Sequence, residues 1–195
     1  MLLLQENFYH VYNRGINKKK IFFKDKNYYF FLNKVRKHML PYCHILSYCL
    51  MPNHFHIQIF TKSDLKNQKL NNSIGNMLSS YTQAINKQEN RTGSLFQQNT
   101  KAICLAENKD NSGSENNKYP FICFNYIHQN PIKARLVKKM EDWEFSSFKD
   151  YFSMRSISIC NIKLAAQLLD LPKSKQDFYE MSYKVIDDDK LKRIF

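Results

Sequence analysis

Residues 42–61, YCHILSYCLMPNHFHIQIFT, contain two segments of strand length that are separated by a short break. Residues 42–50 form a mostly apolar run, and residues 54–61 alternate between polar and apolar side chains. The tripeptide Met51-Pro52-Asn53 between them is typical of a tight turn. Two strands joined so closely predict an antiparallel β-hairpin, around which the rest of the fold can be arranged.

The segments on either side of this hairpin predict a sheet with two helices. Residues 8–13 alternate as a β-strand does, and residues 95–105 have the composition of a fourth strand. Apolar residues recur at three- and four-residue steps over residues 25–39 and 64–90, which predicts two amphipathic helices. The order β-α-β-β-α-β predicts an α+β fold, ferredoxin-like in connectivity, whose antiparallel sheet carries helices on one face.

The remaining part of the chain predicts a further helix and an appendage. Residues 119–129 are typical of a helix that Pro131 would terminate. The aromatic segment 143–151 is expected to pack against the domain, and one more helix is expected before a polar tail. We therefore predict one domain over residues 1–151 and a helical appendage or tail over residues 152–195.

The composition indicates a polyanionic partner and a reducing compartment. The chain has 30 Lys and Arg against 17 Asp and Glu, a formal net charge of +13 at pH 7, and such a field attracts nucleic acid. A basic protein without that partner is the alternative interpretation. The five cysteines form no CxxC pair, which argues against a disulfide framework and a cysteine zinc site. No segment reaches the length of a membrane span, so we expect a cytoplasmic protein.

The most specific chemical feature is His54-Phe55-His56 in the second strand of the hairpin. Alternate side chains of a strand point to the same face, so His54, His56 and Gln58 share one face. The apolar residues between them share the other face and are expected in the core. Two imidazoles side by side on a rigid strand suit a divalent metal ion. A pair of histidines that occurs by chance in a structural domain is the alternative.

A second feature lies in the helix that precedes Pro131. Tyr126 and Asn130 are four residues apart, which places them on the same face of a helix. The phenol hydroxyl is a candidate nucleophile, and the amide oxygen is a candidate third metal ligand. The alternative is an ordinary tyrosine followed by a common helix stop.

Together the two features resemble a known family of enzymes. PNHFHI at residues 52–57, followed by NYIHQNPIKARLV at residues 125–137, is similar to the single-tyrosine HUH transposases, in particular to the REP-associated tyrosine transposases. Further segments that agree with this branch are YHVYNRG, IFFKDKNYYFFL, TGSLFQ and DWEFSSFKDY. The resemblance covers roughly residues 8–151.

The resemblance implies a metal-dependent enzyme that cleaves and rejoins single-stranded DNA. His54 and His56 match the metal-binding histidines, Tyr126 matches the nucleophile, and Asn130 matches the third-ligand position. The metal is expected to be Mg²⁺ or Mn²⁺, and the intermediate a 5′-phosphotyrosine. The DNA is expected to carry hairpin ends, and related enzymes occur both as monomers and as homodimers. Basic side chains that could hold its phosphates are Arg14, Lys18, Lys19, Lys20, Lys133 and Arg135.

Three other interpretations stay open at this point. A domesticated protein on the same fold would bind DNA without cleaving it. A relaxase or a replication initiator is another HUH enzyme, but it usually has a different sequence around its histidines and often paired tyrosines, and no tyrosine lies four residues after Tyr126. A structural α+β domain would need no metal at all.

Overall fold

The computed structural model describes residues 3–65, 68–105, 118–152, 154–155 and 158–191. Its strands are β1 (Phe8–Arg14), β2 (Cys43–Met51), β3 (His54–Thr61) and β4 (Lys101–Cys104). Its α-helices are α1 (Asp25–His38), α2 (Lys69–Gln88), α3 (Lys118–Lys133), α4 (Phe148–Tyr151), α5 (Ile162–Leu168), α6 (Lys175–Ser182) and α7 (Asp188–Leu191).

The four strands form one antiparallel sheet in the order β2-β3-β1-β4. Strand β3 lies between β1 and β2, and β4 pairs with the outer edge of β1. This arrangement confirms the predicted ferredoxin-like α+β fold. The predicted hairpin is also confirmed, because Met51 of β2 lies opposite His54 of β3 across the two-residue turn.

The fourth strand is shorter than the sequence predicts. The expected strand covered residues 95–105, whereas only Lys101–Cys104 pairs with β1 as a strand. Phe96 makes an isolated bridge to Gly15, and Asn99 adopts a left-handed backbone conformation with φ of 62°. That conformation interrupts an extended chain, which explains why continuous pairing begins only after it.

Helices α1 and α2 cover one face of the sheet, as predicted. The apolar residues of β3 pack there with Phe31 of α1 and Tyr81 of α2 in one core cluster. The ring of Phe31 lies 5.0 Å from that of Phe55 and 5.0 Å from that of Tyr81, measured between centroids. The predicted packing of segment 143–151 is confirmed on the same cluster, because Phe145 stacks on Tyr28 with 3.7 Å between the ring centroids.

Helix α3 lies on the opposite face of the sheet. Its apolar residues Ile122, Cys123 and Ile127 pack with Cys49 and Met51 of β2 in a second cluster. The side-chain amide of Gln58 in β3 donates a hydrogen bond to the carbonyl oxygen of Pro120 at 2.8 Å. The sheet is therefore covered on both faces, and α3 forms a layer that the predicted one-sided arrangement did not include.

Pro131 does not end α3, contrary to the prediction. The helix continues to Lys133, and the carbonyl oxygens of Asn130 and Pro131 accept hydrogen bonds from the backbone amides of Ala134 and Leu136. A proline in the last turn removes one backbone donor, and its cost is confined to that turn. The chain leaves the helix at Arg135, whose φ is 56°.

The predicted helix after the aromatic segment is confirmed as α5, but the polar tail is not. The region after α5 contains α6 and α7, and Phe178 and Met181 of α6 pack with Phe124 of α3. The division of the chain at residue 151 remains a prediction. In the part of the chain that the structure describes, no helix has the length and apolar character needed to cross a bilayer.

Candidate functional site

Three polar residues of β3, His54, His56 and Gln58, lie on the face of the sheet that α3 covers, opposite the main core. Across the β1–β3 pair, His54 lies opposite Arg14, His56 opposite Tyr12, and Gln58 opposite His10. His56 and Gln58 are buried. The predicted sharing of one face by these three side chains is therefore confirmed, and a row of polar side chains from β1 lies beside them.

Hydrogen bonds fix both imidazole rings of the HFH motif. The rings of His54 and His56 are 5.0 Å apart between centroids and nearly perpendicular. The Nδ1 atom of His54 is 2.6 Å from Oδ1 of Asn53. The Nδ1 atom of His56 is 2.8 Å from Nε2 of His10, whose ring stacks on it at 5.0 Å. Each ring is thus held through the same nitrogen atom.

Burial keeps both imidazoles neutral. It lowers the pKa of His54 to about 4, and the nearby Arg14 guanidinium acts in the same direction. It also lowers the pKa of His56 well below its ordinary value, with smaller contributions from His10, His54 and Arg14. A histidine binds a metal ion only as the neutral ring. The pair is therefore in the ligand form at neutral pH.

Helix α3 brings Tyr126 to this pair. The centroid of the phenol ring lies 5.6 Å from that of His56 and 6.4 Å from that of His10, with the rings edge to face. Burial raises the pKa of the Tyr126 hydroxyl, and a hydrogen bond from the Asn130 side chain opposes that shift. The ammonium of Lys133 lies 5.3 Å from the centroid of the Tyr126 ring.

Asn130 is buried on the same side of α3 as Tyr126. Its Nδ2 atom donates a hydrogen bond to the Tyr126 carbonyl oxygen at 2.9 Å. The spacing of four residues therefore has the predicted effect, even though Pro131 follows. The other two polar residues of this segment lie elsewhere: His128 is 2.7 Å from the Ser147 hydroxyl, and Gln129 donates to the Ser182 carbonyl at 2.8 Å.

The residues at the site that could hold a metal ion are His54, His56 and Asn130. Among the residues that the structure describes, no group of three or more His, Cys, Asp and Glu side chains is arranged to hold a metal. The two imidazoles could supply nitrogen donors and the Asn130 amide an oxygen donor. Each imidazole has a polar partner at Nδ1, as metal-bound histidines commonly do. Such a set would leave coordination positions for oxygen atoms of a bound ligand.

The structure brings two of the predicted basic residues to the site. Arg14 lies opposite His54 and Lys133 lies over Tyr126. Lys19 and Lys20 instead line a cleft of about 480 Å³ together with Arg91 and Phe23. The other two predicted residues are exposed, Lys18 in the turn after β1 and Arg135 after α3. The backbone of Lys18 is near the site, because its carbonyl oxygen accepts a hydrogen bond from Asn53.

Sequence reasoning missed His10 and Tyr12 as parts of this site. Both lie on β1, with His10 fully buried and the two ring centroids 4.7 Å apart. The alternation of residues 8–13 places them on one face of their strand. The sequence does not state which strand lies beside β1 or in which register, so their contact with His56 was not predicted.

Comparisons with known proteins support the fold. No model of a protein family matches the chain, and no curated protein matches it. A solved structure of a REP-associated tyrosine transposase bound to a REP hairpin is similar, with a TM-score of 0.58 and 16% sequence identity over 80% of this chain and 85% of that chain. The resemblance inferred from the sequence is thus confirmed at the level of the fold.

Proposed function

We propose that the protein cleaves and rejoins single-stranded DNA, with Tyr126 as the nucleophile and a divalent metal ion held by His54, His56 and Asn130. The observation that carries the proposal is the approach of Tyr126 to His56. These residues are 70 positions apart in the chain, and their ring centroids are 5.6 Å apart. A tyrosine close to one imidazole of a neutral histidine pair is an arrangement that suits this chemistry.

The reaction is an exchange of phosphate esters. The Tyr126 hydroxyl oxygen attacks phosphorus, the bond from phosphorus to the 3′-oxygen breaks, and that oxygen takes a proton and leaves as a 3′-hydroxyl. The product is a 5′-phosphotyrosine, which retains the ester bond. Attack by another DNA 3′-hydroxyl then rejoins a strand and releases Tyr126, so no nucleotide cofactor is consumed.

The surroundings of Tyr126 act in opposite directions on its deprotonation, and burial is the largest influence. Burial raises the pKa of the hydroxyl, which opposes its use as a nucleophile. The hydrogen bond from Asn130 stabilises negative charge on the phenol, and the ammonium of Lys133 lies 5.3 Å from the centroid of its ring. When bound, the metal would neutralise charge on the scissile phosphate. Nitrogen ligands favour Mn²⁺ over Mg²⁺.

Several features support single-stranded or hairpin DNA as the substrate. The net charge of +13 provides general attraction for phosphates. Arg14 and Lys133 lie beside the reacting groups, and Lys18, Lys19, Lys20 and Arg135 extend the basic surface. The cleft at Lys19 and Lys20 also presents the half-exposed ring of Phe23, on which an unpaired base could stack. The similar transposase is bound to a hairpin.

The test uses single-stranded oligonucleotides that fold into hairpins with single-stranded flanks. Incubation with Mn²⁺ should produce a protein–DNA adduct that resists denaturing electrophoresis. Tyr126→Phe should give no adduct, whereas Tyr29→Phe, which removes an exposed hydroxyl on α1, should react as the wild type does. An adduct of normal yield in Tyr126→Phe would refute the assigned nucleophile.

A second candidate function is DNA binding without cleavage. It is favoured by the net charge of +13 and by the similarity in fold to a protein bound to a hairpin, since neither observation requires cleavage. Tight binding of the hairpin oligonucleotides without an adduct at any Mn²⁺ concentration would support this function. Sedimentation of the same complexes would test the predicted homodimer.

A further inference from the structure

His10 is a fully buried histidine that the reaction above does not use. It lies on β1, and its Nε2 atom is 2.8 Å from Nδ1 of His56. We propose that His10 is a positioning residue: it accepts a hydrogen bond from Nδ1–H of His56 and so places the lone pair of His56 on Nε2, where it can bind the metal. This inference rests on the proposed function.

The hydrogen bond between the two rings requires one proton between two nitrogen atoms. If His56 supplies the proton, its Nε2 atom carries a lone pair and can act as a metal ligand. If His10 supplies it, neutral His56 carries its own proton on Nε2 and cannot bind through that atom. The direction of this single hydrogen bond therefore decides whether His56 can be a ligand through Nε2.

The tautomer of His54 is fixed by its contact with Asn53. The Nδ2 atom of Asn53 donates to the carbonyl oxygen of Lys18 at 3.1 Å, which orients the Asn53 amide so that its oxygen faces His54. That oxygen can only accept, so Nδ1 of His54 carries the proton and Nε2 carries the lone pair. Two histidines that both bind one ion through Nε2 need the tautomer that carries its proton on Nδ1, and an acceptor at Nδ1 of His56 favours it.

The surroundings of His10 keep the ring in place. It stacks on His56 with an interplanar angle of 25°, and the Tyr12 ring lies 4.7 Å from it on the same strand. The hydrogen bond is buried, where a fixed bond is stronger than in water. Metal-bound histidines commonly have such a partner at the other ring nitrogen, and its loss typically lowers metal affinity by about 10- to 100-fold.

The decisive experiment is ¹⁵N NMR of the metal-free protein labelled at histidine. We expect His56 to show a protonated Nδ1 and an unprotonated Nε2. A protonated Nε2 on His56 in the wild type would overturn the inference, and this result needs no variant and no DNA.

Three variants extend the test through Mn²⁺ affinity. His10→Phe replaces the imidazole by a phenyl ring and so removes the nitrogen acceptor. We expect Mn²⁺ binding to weaken by about 10- to 100-fold. His10→Gln offers an amide oxygen as acceptor and should recover most of this loss. His38→Phe makes the same replacement at the end of α1 and should bind as the wild type does. Wild-type affinity in a folded His10→Phe would contradict the assigned role.

Failure of the proposed function would appear differently. A wild type that binds Mn²⁺ and has the expected His56 tautomer, but forms no adduct with any hairpin, would refute the cleavage reaction and leave the role of His10 intact. A wild type that binds no Mn²⁺ would refute both.

Discussion

The two sides of strand β3 differ in what they bury. On one side, Phe55, Ile57 and Ile59 are almost fully buried against α1 and α2, where the hydrophobic effect stabilises the fold. On the other side, His56 and Gln58 are buried under α3, where polar groups lose their hydration and must find partners. They do so with His10, Ser47 and the Pro120 carbonyl.

This difference separates the residues that maintain the fold from those that provide the site. Apolar side chains of similar volume on this face of β3 would pack against α3 without the cost of desolvating imidazoles. The polar side therefore carries groups that a purely structural sheet does not need. Substitutions on the two sides of β3 should affect different measurements, although the residues alternate along one strand.

The largest expected effect is on stability, and it distinguishes substitutions at the adjacent residues Phe55 and His54. Phe55→Ala should lower the free energy of unfolding by about 3–5 kcal/mol, because it leaves a cavity between Phe31 and Phe96. Its folded fraction should bind Mn²⁺ as the wild type does. His54→Ala should change the free energy of unfolding by less than about 1 kcal/mol, as expected for a partly exposed residue, and lose Mn²⁺ binding.

Urea denaturation and Mn²⁺ titration measure the two effects separately. A His54→Ala variant that binds Mn²⁺ normally, or a Phe55→Ala variant of undiminished stability, would contradict the division between the two faces.

A smaller effect is the pH dependence of the free energy of unfolding, which arises from the polar face of β3. The unfolded chain takes up protons at its histidines below pH 6.5, whereas folded His54 does so only near pH 4. The unfolded state thus binds more protons in this window, so the free energy of unfolding should fall as pH decreases from about 6.5 to about 4. The apolar face contributes nothing to this slope.

Unfolding curves at a series of pH values measure that slope. In His54→Ala the decline between pH 6.5 and pH 4 should be shallower than in the wild type. Identical slopes in the two proteins would show that His54 is not held neutral by the fold.

The smallest expected effect is on DNA affinity, from a substitution of Lys133 beside Tyr126. Lys133→Met should weaken binding of a hairpin oligonucleotide only modestly. It should reduce the slope of log affinity against log salt concentration by about 1, because one phosphate contact is lost. Lys163→Met on α5 removes an equal charge away from the site and should leave the slope unchanged. Equal slopes in wild type and Lys133→Met would exclude a phosphate contact by this residue.

The sequence was sufficient for features that depend on local periodicity. The alternation in β3 predicted which residues share the face of His56, and the spacing of four predicted that Asn130 meets Tyr126. The hairpin and the sheet connectivity followed from the same patterns and short turns. These relations are set by backbone geometry within one element or two adjacent ones.

The remaining features depend on contacts between distant segments. The pairing of β1 with β3 brings His10 to His56, and no local pattern states that register. The packing of α3 on the second face, and of α6 on α3, likewise depends on tertiary contacts. The helix continued past Pro131 because a proline near a helix end costs little there.

The most direct test of the central claim is to identify the amino acid that carries the DNA. The wild-type protein would be incubated with Mn²⁺ and a reactive hairpin oligonucleotide, digested with protease and nuclease, and analysed by mass spectrometry. We predict that the peptide containing Tyr126 gains the mass of a 5′-phosphorylated nucleotide and that fragmentation places it on the tyrosine oxygen. A nucleotide attached to any other residue would contradict the proposed site.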